Sequence, residues 1–330
     1  MNHGRWLFLL VSACGGEGND ATSFDASSGS TTVSTTSTPS TAGTATTQPD
    51  TSGDPGASTS GSGGGVTSSS SGGPDTEGPT TGAQGSSTTS STGGSQSAGC
   101  DMPVQTGYQC FDEVFEGVAR RWCAFVPEFY DAAASHSVML GLHGCGGSPE
   151  GVHGGAAAPQ EAYAGDDYVF VYPAAAASCW EYNLPSDAAY IAFVIEQVAQ
   201  RYCIDKSRIF AHGMSSGAMM ASRVLCDGIV AGAAAISLNF SCGQAHPIWL
   251  FGGTSDEYYA QYIIPGRDGW IAANGCTGDT VPLGDGPCVE YQGCTHRTVW
   301  CSDDRGHVWP TEPWAAEGIM DFFGTLPGLE

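Results

Sequence analysis

Positive charge is what this sequence has least of. Its 330 residues carry 10 Lys and Arg against 34 Asp and Glu, for a formal net charge of -24. A surface that acidic repels phosphate polymers and anionic lipids, so nucleic acid is excluded as a partner, while neutral polysaccharides and polyesters are not repelled. Cys-x-x-Cys pairs are missing as well, which argues against structural zinc and dithiol redox chemistry. Neither a metal nor a cofactor is expected. Between residues 15 and 99 the scarcity becomes extreme: no Lys or Arg and a single aromatic, Phe24, in a background of Ser, Thr, Gly, Pro and Ala. Such a stretch cannot offset its chain entropy by burial, so it is expected to stay disordered and to act as a spacer extending about 50 Å r.m.s..

On the N-terminal side of the spacer, Arg5 precedes a short apolar run (6–11) and then Ser12-Ala13-Cys14. The run is too short to span a bilayer and reads as an export signal. The small residues before Cys14 resemble the lipobox of bacterial lipoproteins, which implies cleavage after residue 13 and a lipid on Cys14. The expected layout is a lipoprotein-type signal peptide (1–13), a Ser/Thr/Gly/Pro-rich linker (14–99) and a folded domain (100–330). The protein would then be extracellular or at the cell surface, anchored to a bacterial envelope, with the lipid as its one membrane contact.

Composition changes at Cys100. The domain beyond it holds 12 of the 13 Cys and 9 of the 10 basic residues, against 27 acids. An even number of cysteines behind an export signal points to disulfides formed outside the cytosol, with the pairing left open. About 230 residues is a normal size for one α/β domain, and a monomer is expected. Runs of β-branched and aromatic residues at 121–126, 138–142, 168–172, 233–238 and 248–251 read as strands. Helical spacing of Ile191, Val194, Ile195, Val198 and Tyr202 predicts a helix over 187–202 with Ser186 as N-cap. Further helices are expected at 216–225 and 314–323, and a hairpin from 288–291 and 298–301. Strands alternating with helices predict a mostly parallel sheet covered by helices on both faces.

The chemistry gathers around Gly213-Met214-Ser215-Ser216-Gly217, a Gly-x-Ser-x-Gly with an apolar strand run before it and helix formers after it. A serine at the tip of a tight strand-to-helix turn is exposed in a strained backbone, and glycines two residues either side remove the clashes that turn creates. Ser215 is the candidate nucleophile. The Ser216 amide, at a helix N-terminus, is a candidate oxyanion donor. A serine hydroxyl needs a histidine base, and that base needs a carboxylate to set its tautomer. Asp256 follows the apolar run 248–251 and a Gly-Gly turn, whereas Asp268, Asp279 and Asp285 have no strand before them. His307 lies downstream of Asp256, beside Gly306 and just before the last helix; His296 sits in a polar stretch, and His246 precedes the acid. The loop Leu142-His143-Gly144-Cys145-Gly146-Gly147 has the form of an oxyanion loop, with the Cys145 N–H as donor and His143 as a structural residue.

With those residues in hand, the domain resembles the extracellular carbohydrate esterases that include feruloyl and acetylxylan esterases, whose relatives include polyhydroxybutyrate depolymerases. The matching pieces are 142–146, Cys203-Ile204-Asp205, Arg208-Ile209-Phe210, the serine turn and Gly253-Thr254-Ser255-Asp256. Asn274-Gly275-Cys276, Cys288, Tyr291, Gly293-Cys294, Trp300-Cys301 and Gly306-His307 resemble the feruloyl branch in order and spacing. The resemblance implies an α/β-hydrolase fold, a secreted serine esterase without cofactor, and Ser215, Asp256 and His307 as its triad. Ala218 and Arg305 depart from it, each standing where glycine is usual, and Arg305 is placed to alter substrate access. Trp180 matches loosely a tryptophan near the family's acyl pocket and is a candidate for stacking on an aromatic acyl group or sugar, with a core position as the alternative. Substrates expected are feruloyl or acetyl esters on plant-wall polysaccharide or oligosaccharide. Two alternatives stand: a polyester depolymerase using the same chemistry, and an inactive hydrolase-like surface binding protein.

Overall fold

Six apolar segments run parallel at the centre of a ten-stranded sheet, in a computed structural model that describes residues 97–329. The signal peptide, Cys14 and the linker up to residue 96 lie outside the described residues. The strands are β1 (Gly107–Phe115), β2 (Val118–Val126), β3 (His136–Leu142), β4 (Tyr168–Pro173), β5 (Ile204–Met214), β6 (Gly232–Ile236), β7 (Ile248–Phe251), β8 (Thr280–Leu283), β9 (Cys288–Tyr291) and β10 (Thr298–Cys301). Their order across the sheet is β1-β2-β4-β3-β5-β6-β7-β10-β9-β8. From β4 to β10 every pairing is parallel. Antiparallel β2 and β1 extend one edge, and β9 and β8 the other.

Both faces of the parallel centre are covered, which is why β3, β4, β6, β7 and β10 are buried at every position. The period of two sorts their side chains. Val138, Leu140, Ile209 and Ala211 face one side, against Ile191 and Val194 of α3 (Pro185–Arg201) and Met220 of α4 (Ser216–Cys226). Met139, Phe170, Phe210 and Phe251 face the other, against Ile319, Phe322 and Phe323 of the last helix, Pro313–Gly324. Parallel strands also place their C-terminal ends, and the loops that follow them, along one edge of the sheet. Among the described residues no helix is long and apolar enough to cross a membrane.

The twelve domain cysteines pair as Cys100–Cys203, Cys110–Cys123, Cys145–Cys179, Cys226–Cys242, Cys276–Cys294 and Cys288–Cys301. Two of these join residues directly opposite each other in β1/β2 and β9/β10. Contacts with the domain extend upstream of Cys100: the Ser97 hydroxyl donates to the Tyr202 carbonyl at 2.7 Å and accepts from the Ile204 N–H at 2.9 Å.

Several elements differ from the sequence reading. The helix expected over 187–202 begins at Pro185, with Leu184 as its N-cap and no side-chain cap; Ser186 lies inside the first turn. Proline at the first helical position has no N–H to leave unsatisfied, so a serine cap is dispensable there. The strand expected over 233–238 ends at Ile236, because Ser237 adopts φ 69° and turns the chain. A helix not anticipated, α5 (Ile264–Ala273), contains two glycines that weaken helix propensity. One is required by packing, since a methyl on Gly266 would lie 2.1 Å from the Asn239 side-chain oxygen. Also unanticipated were β1, β8 and the helical stretch from α1 (Pro149–Gly151) through a π-helical turn to α2 (Ala158–Ala164). The final helix, Pro313–Gly324, is α6.

Candidate active site

The end of β5 turns into α4 through Ser215 at φ 58°, ψ -123°. A non-glycine residue there carries strain of about 1–3 kcal/mol, so the surroundings must hold it. They do so through the backbone: the Ser215 N–H donates to the Ile236 carbonyl at 3.0 Å. Although Ser215 occupies the N-cap of α4, its side chain does not cap the helix, leaving the hydroxyl unused by local structure. The flanking glycines are sterically required. A methyl on Gly213 would lie 2.4 Å from Gly217 carbonyl atoms, and one on Gly217 would lie 2.1 Å from the Leu142 carbonyl oxygen.

Two strands along, β7 ends in Gly252-Gly253 and delivers Asp256, whose side chain is fully buried. Its Oδ2 pairs with His307 Nδ1 at 2.9 Å, and its Oδ1 accepts the Tyr258 N–H at 2.9 Å. A carboxylate only accepts, so Nδ1 carries a proton here, and in the neutral ring Nε2 keeps its lone pair. The Tyr258 ring meets His307 edge-on, centroids 5.2 Å apart. The loop after β7 is stitched to the loop after β10 by Thr254 N–H to Asp303 O at 2.7 Å and Ser255 N–H to Arg305 O at 3.1 Å. Gly253 permits this approach, because a methyl there would sit 2.1 Å from the Arg305 carbonyl oxygen.

On the opposite side of Ser215, the loop after β3 lies against the nucleophile: a methyl on Gly144 would be 3.5 Å from Ser215 Cβ. His143 braces this loop from within. Its Nδ1–H donates to the Gly144 carbonyl at 2.8 Å while its Nε2 accepts the Ala175 N–H at 3.1 Å. Both bonds need a neutral ring, and burial pushes the His143 pKa down accordingly. Cys145 is tied to Cys179, and the neighbouring Gly146 N–H donates to Ser178 O at 2.7 Å. The Cys145 N–H donates to no other protein group among the described residues, and the Ser216 N–H opens α4.

Trp180 is 2% exposed. Its indole N–H donates to the His143 carbonyl at 2.9 Å, so it supports the loop from behind and offers no face for stacking on substrate. Asp187 has a related role that residue order does not reveal. Buried at 1% exposure, it takes the Arg120 guanidinium on Oδ1 at 2.8 Å and the Glu181 N–H on Oδ2 at 2.9 Å. Arg120 in turn lies over the Tyr190 ring, 3.7 Å from its centroid.

Two further histidines are placed differently. His212 is wholly buried, with its pKa pushed down to about 3 by desolvation. The backbone N–H of His246 donates to the Asn274 side chain. Among the described residues, the grouping of metal-type ligands is Cys110, Cys123 and Glu150, and both of its sulfurs are already joined in a disulfide.

No family model matches the sequence. A probable feruloyl esterase C of Aspergillus terreus is 28% identical over 264 residues, covering 69% of this chain and 91% of that protein. A feruloyl esterase C of Emericella nidulans is 28% identical over 210 residues, covering 57% and 76% respectively. In three dimensions, the acetyl xylan esterase from Aspergillus awamori matches with a TM-score of 0.53 at 16% identity, over 66% of this chain and 99% of that one. The chain has the α/β-hydrolase fold and a sequence similar to those feruloyl esterases. An S-formylglutathione hydrolase from Agrobacterium tumefaciens shares the α/β-hydrolase fold, with a TM-score of 0.51 at 12% identity, over 71% and 99% of the two chains. In this α/β-hydrolase the order Ser215, Asp256, His307 follows the ends of β5, β7 and β10.

Proposed function

We propose that the protein is a serine esterase in which Ser215 attacks the ester carbonyl, His307 is the general base and Asp256 orients it. The observation that carries this reading is the 2.9 Å pair between His307 and buried Asp256, at the same sheet edge as a positive-φ serine turn. His307 Nε2 takes the Ser215 proton as Oγ bonds to the carbonyl carbon. The resulting oxyanion is met by the Cys145 and Ser216 amides, and Asp256 stabilises the imidazolium. His307 then protonates the leaving alcohol, giving an acyl-enzyme. Water, deprotonated by the same nitrogen, releases the acid and restores Ser215.

The relatives' names make feruloyl or acetyl esters on plant-wall polysaccharide the best-supported substrates. Six disulfides support assembly outside the cytosol. A lipid on Cys14, with the acidic domain held away from the envelope by the linker, belongs to the same proposal.

The test is hydrolysis of p-nitrophenyl acetate, methyl ferulate and a hydroxybutyrate oligomer by the full chain, with Ser215→Ala as control. Serine-dependent cleavage of methyl ferulate, with kcat falling by about 10⁴ or more in the variant, is the expected outcome. Full activity in folded Ser215→Ala would remove the triad reading. Cleavage of the oligomer alone would move the substrate to polyesters, and no cleavage of any of the three would leave a binding protein.

A further inference from the structure

Arg305 is the residue before Gly306-His307, and its side chain turns away from solvent into a bracket of its own. Its guanidinium Nε donates to Asp303 Oδ1 at 2.8 Å, while Nη1 and Nη2 donate to the two oxygens of Glu312 at 2.9 and 2.8 Å. Asp303 lies two residues before it and Glu312 seven residues after it, at the N-cap of α6. The charge therefore closes the base of the 303–312 loop around His307. The guanidinium carbon also stands 5.4 Å from the Phe251 ring centroid and 5.9 Å from that of Trp314, which ties the bracket to the end of β7 and the first turn of α6. On the main chain, the Arg305 carbonyl receives the Ser255 N–H at 3.1 Å and fills the space left by Gly253. One residue thus joins the loop of the acid, the loop of the base and the helix after them.

We infer that Arg305 is a positioning residue for His307: its two-carboxylate bracket sets the loop geometry that aims Nε2 at Ser215. This rests on the serine-esterase reading above. It replaces the expectation that Arg305 alters substrate access, because the side chain is 19% exposed and spends its donors within the loop. The planar guanidinium serves both Asp303 and Glu312 at once; a lysine ammonium, as a point charge, would hold one at a time. Loss of the bracket leaves the chemistry intact but broadens the range of imidazole positions, and small misplacements cost rate out of proportion to their size.

The experiment measures kcat and KM for p-nitrophenyl acetate, and the rate of fluorophosphonate labelling, in full-length wild type, Ser215→Ala, Arg305→Gly, Arg305→Lys and Glu312→Gln. Arg305→Gly is expected to lower kcat and labelling together by about tenfold with KM within about twofold, and Arg305→Lys to recover part of the loss. If Arg305→Gly does not fold, Glu312→Gln, which removes one arm of a half-exposed pair, is expected to lower kcat by about threefold with KM unchanged. Unchanged kcat in folded Arg305→Gly or, failing that, in Glu312→Gln overturns the positioning role while Ser215→Ala still reports an intact triad. A change confined to KM overturns it in favour of substrate access. Activity retained in Ser215→Ala overturns the triad and this role with it.

Discussion

The two loops that flank Ser215 are secured by opposite means. On the oxyanion side, the 143–181 region is held by a disulfide, by a buried indole N–H on the His143 carbonyl and by the Arg120–Asp187 pair, whose side chains are 5% and 1% exposed. On the base side, among the described residues, the 303–312 loop carries no disulfide and relies on main-chain hydrogen bonds and on the Arg305 pairs, with Glu312 46% exposed. In the proposed mechanism the 143–147 loop would contribute only amides, whose value lies in being fixed before charge develops. The proposed base would pass a proton between serine, leaving group and water, and its loop is held in part by an ion pair that solvent reaches at Glu312. Both loops are fixed, one by a covalent bond and a buried ion pair, the other by main-chain hydrogen bonds and a more exposed ion-pair bracket.

That contrast is open to attack from its strongest point downwards. Asp187→Ala leaves the Arg120 charge buried without its partner and is expected to lower stability by about 3–5 kcal/mol in urea unfolding; a loss under about 1 kcal/mol would show that the pair does not hold the oxyanion side. Replacing Cys145 and Cys179 together by serine opens a 34-residue loop and is expected to cost about 4 kcal/mol, read as a lowered denaturation midpoint. Its kcat should fall as well, since the Cys145 amide loses its anchor. Smallest is salt: raising NaCl to about 1 M should weaken the Arg305 bracket and lower kcat by about twofold in wild type, with no such dependence in Arg305→Gly. Equal salt dependence in both proteins would mean the ionic contacts do not govern the base loop.

Much of the frame was readable because the signals were local. The run Ile248-Trp249-Leu250-Phe251 is apolar at every position, as a strand buried on both faces must be, and β7 has those limits. The serine turn carries its own steric justification in Gly213 and Gly217. Chain order sufficed to single out Asp256 and His307, which the fold brings within hydrogen-bonding distance. What escaped depends on distant partners. Nothing near Gly266 announces that Asn239 will press against it, so a helix with two glycines went unassigned. Trp180 carries no mark of direction along the chain, and its indole turns out to be committed to His143, thirty-seven residues away. Cysteine pairing was beyond reach for the same reason, since an even count is satisfied by many connectivities. Arg305 stood out only as a residue where glycine was expected; its partners Asp303 and Glu312 became visible once the loop had a shape.

The strand order also acts as a ruler. With neighbouring strands about 4.8 Å apart, the end of β7 lies about 10 Å from the end of β5, and the end of β10 about 14 Å. In the proposed triad the imidazole's strand end lies farther from the serine's than the carboxylate's does, so its loop would have to lean back across two strand ends. Transplanting the same three residues to a sheet with one strand fewer between β5 and β10 would leave that loop too long, and its histidine would overshoot.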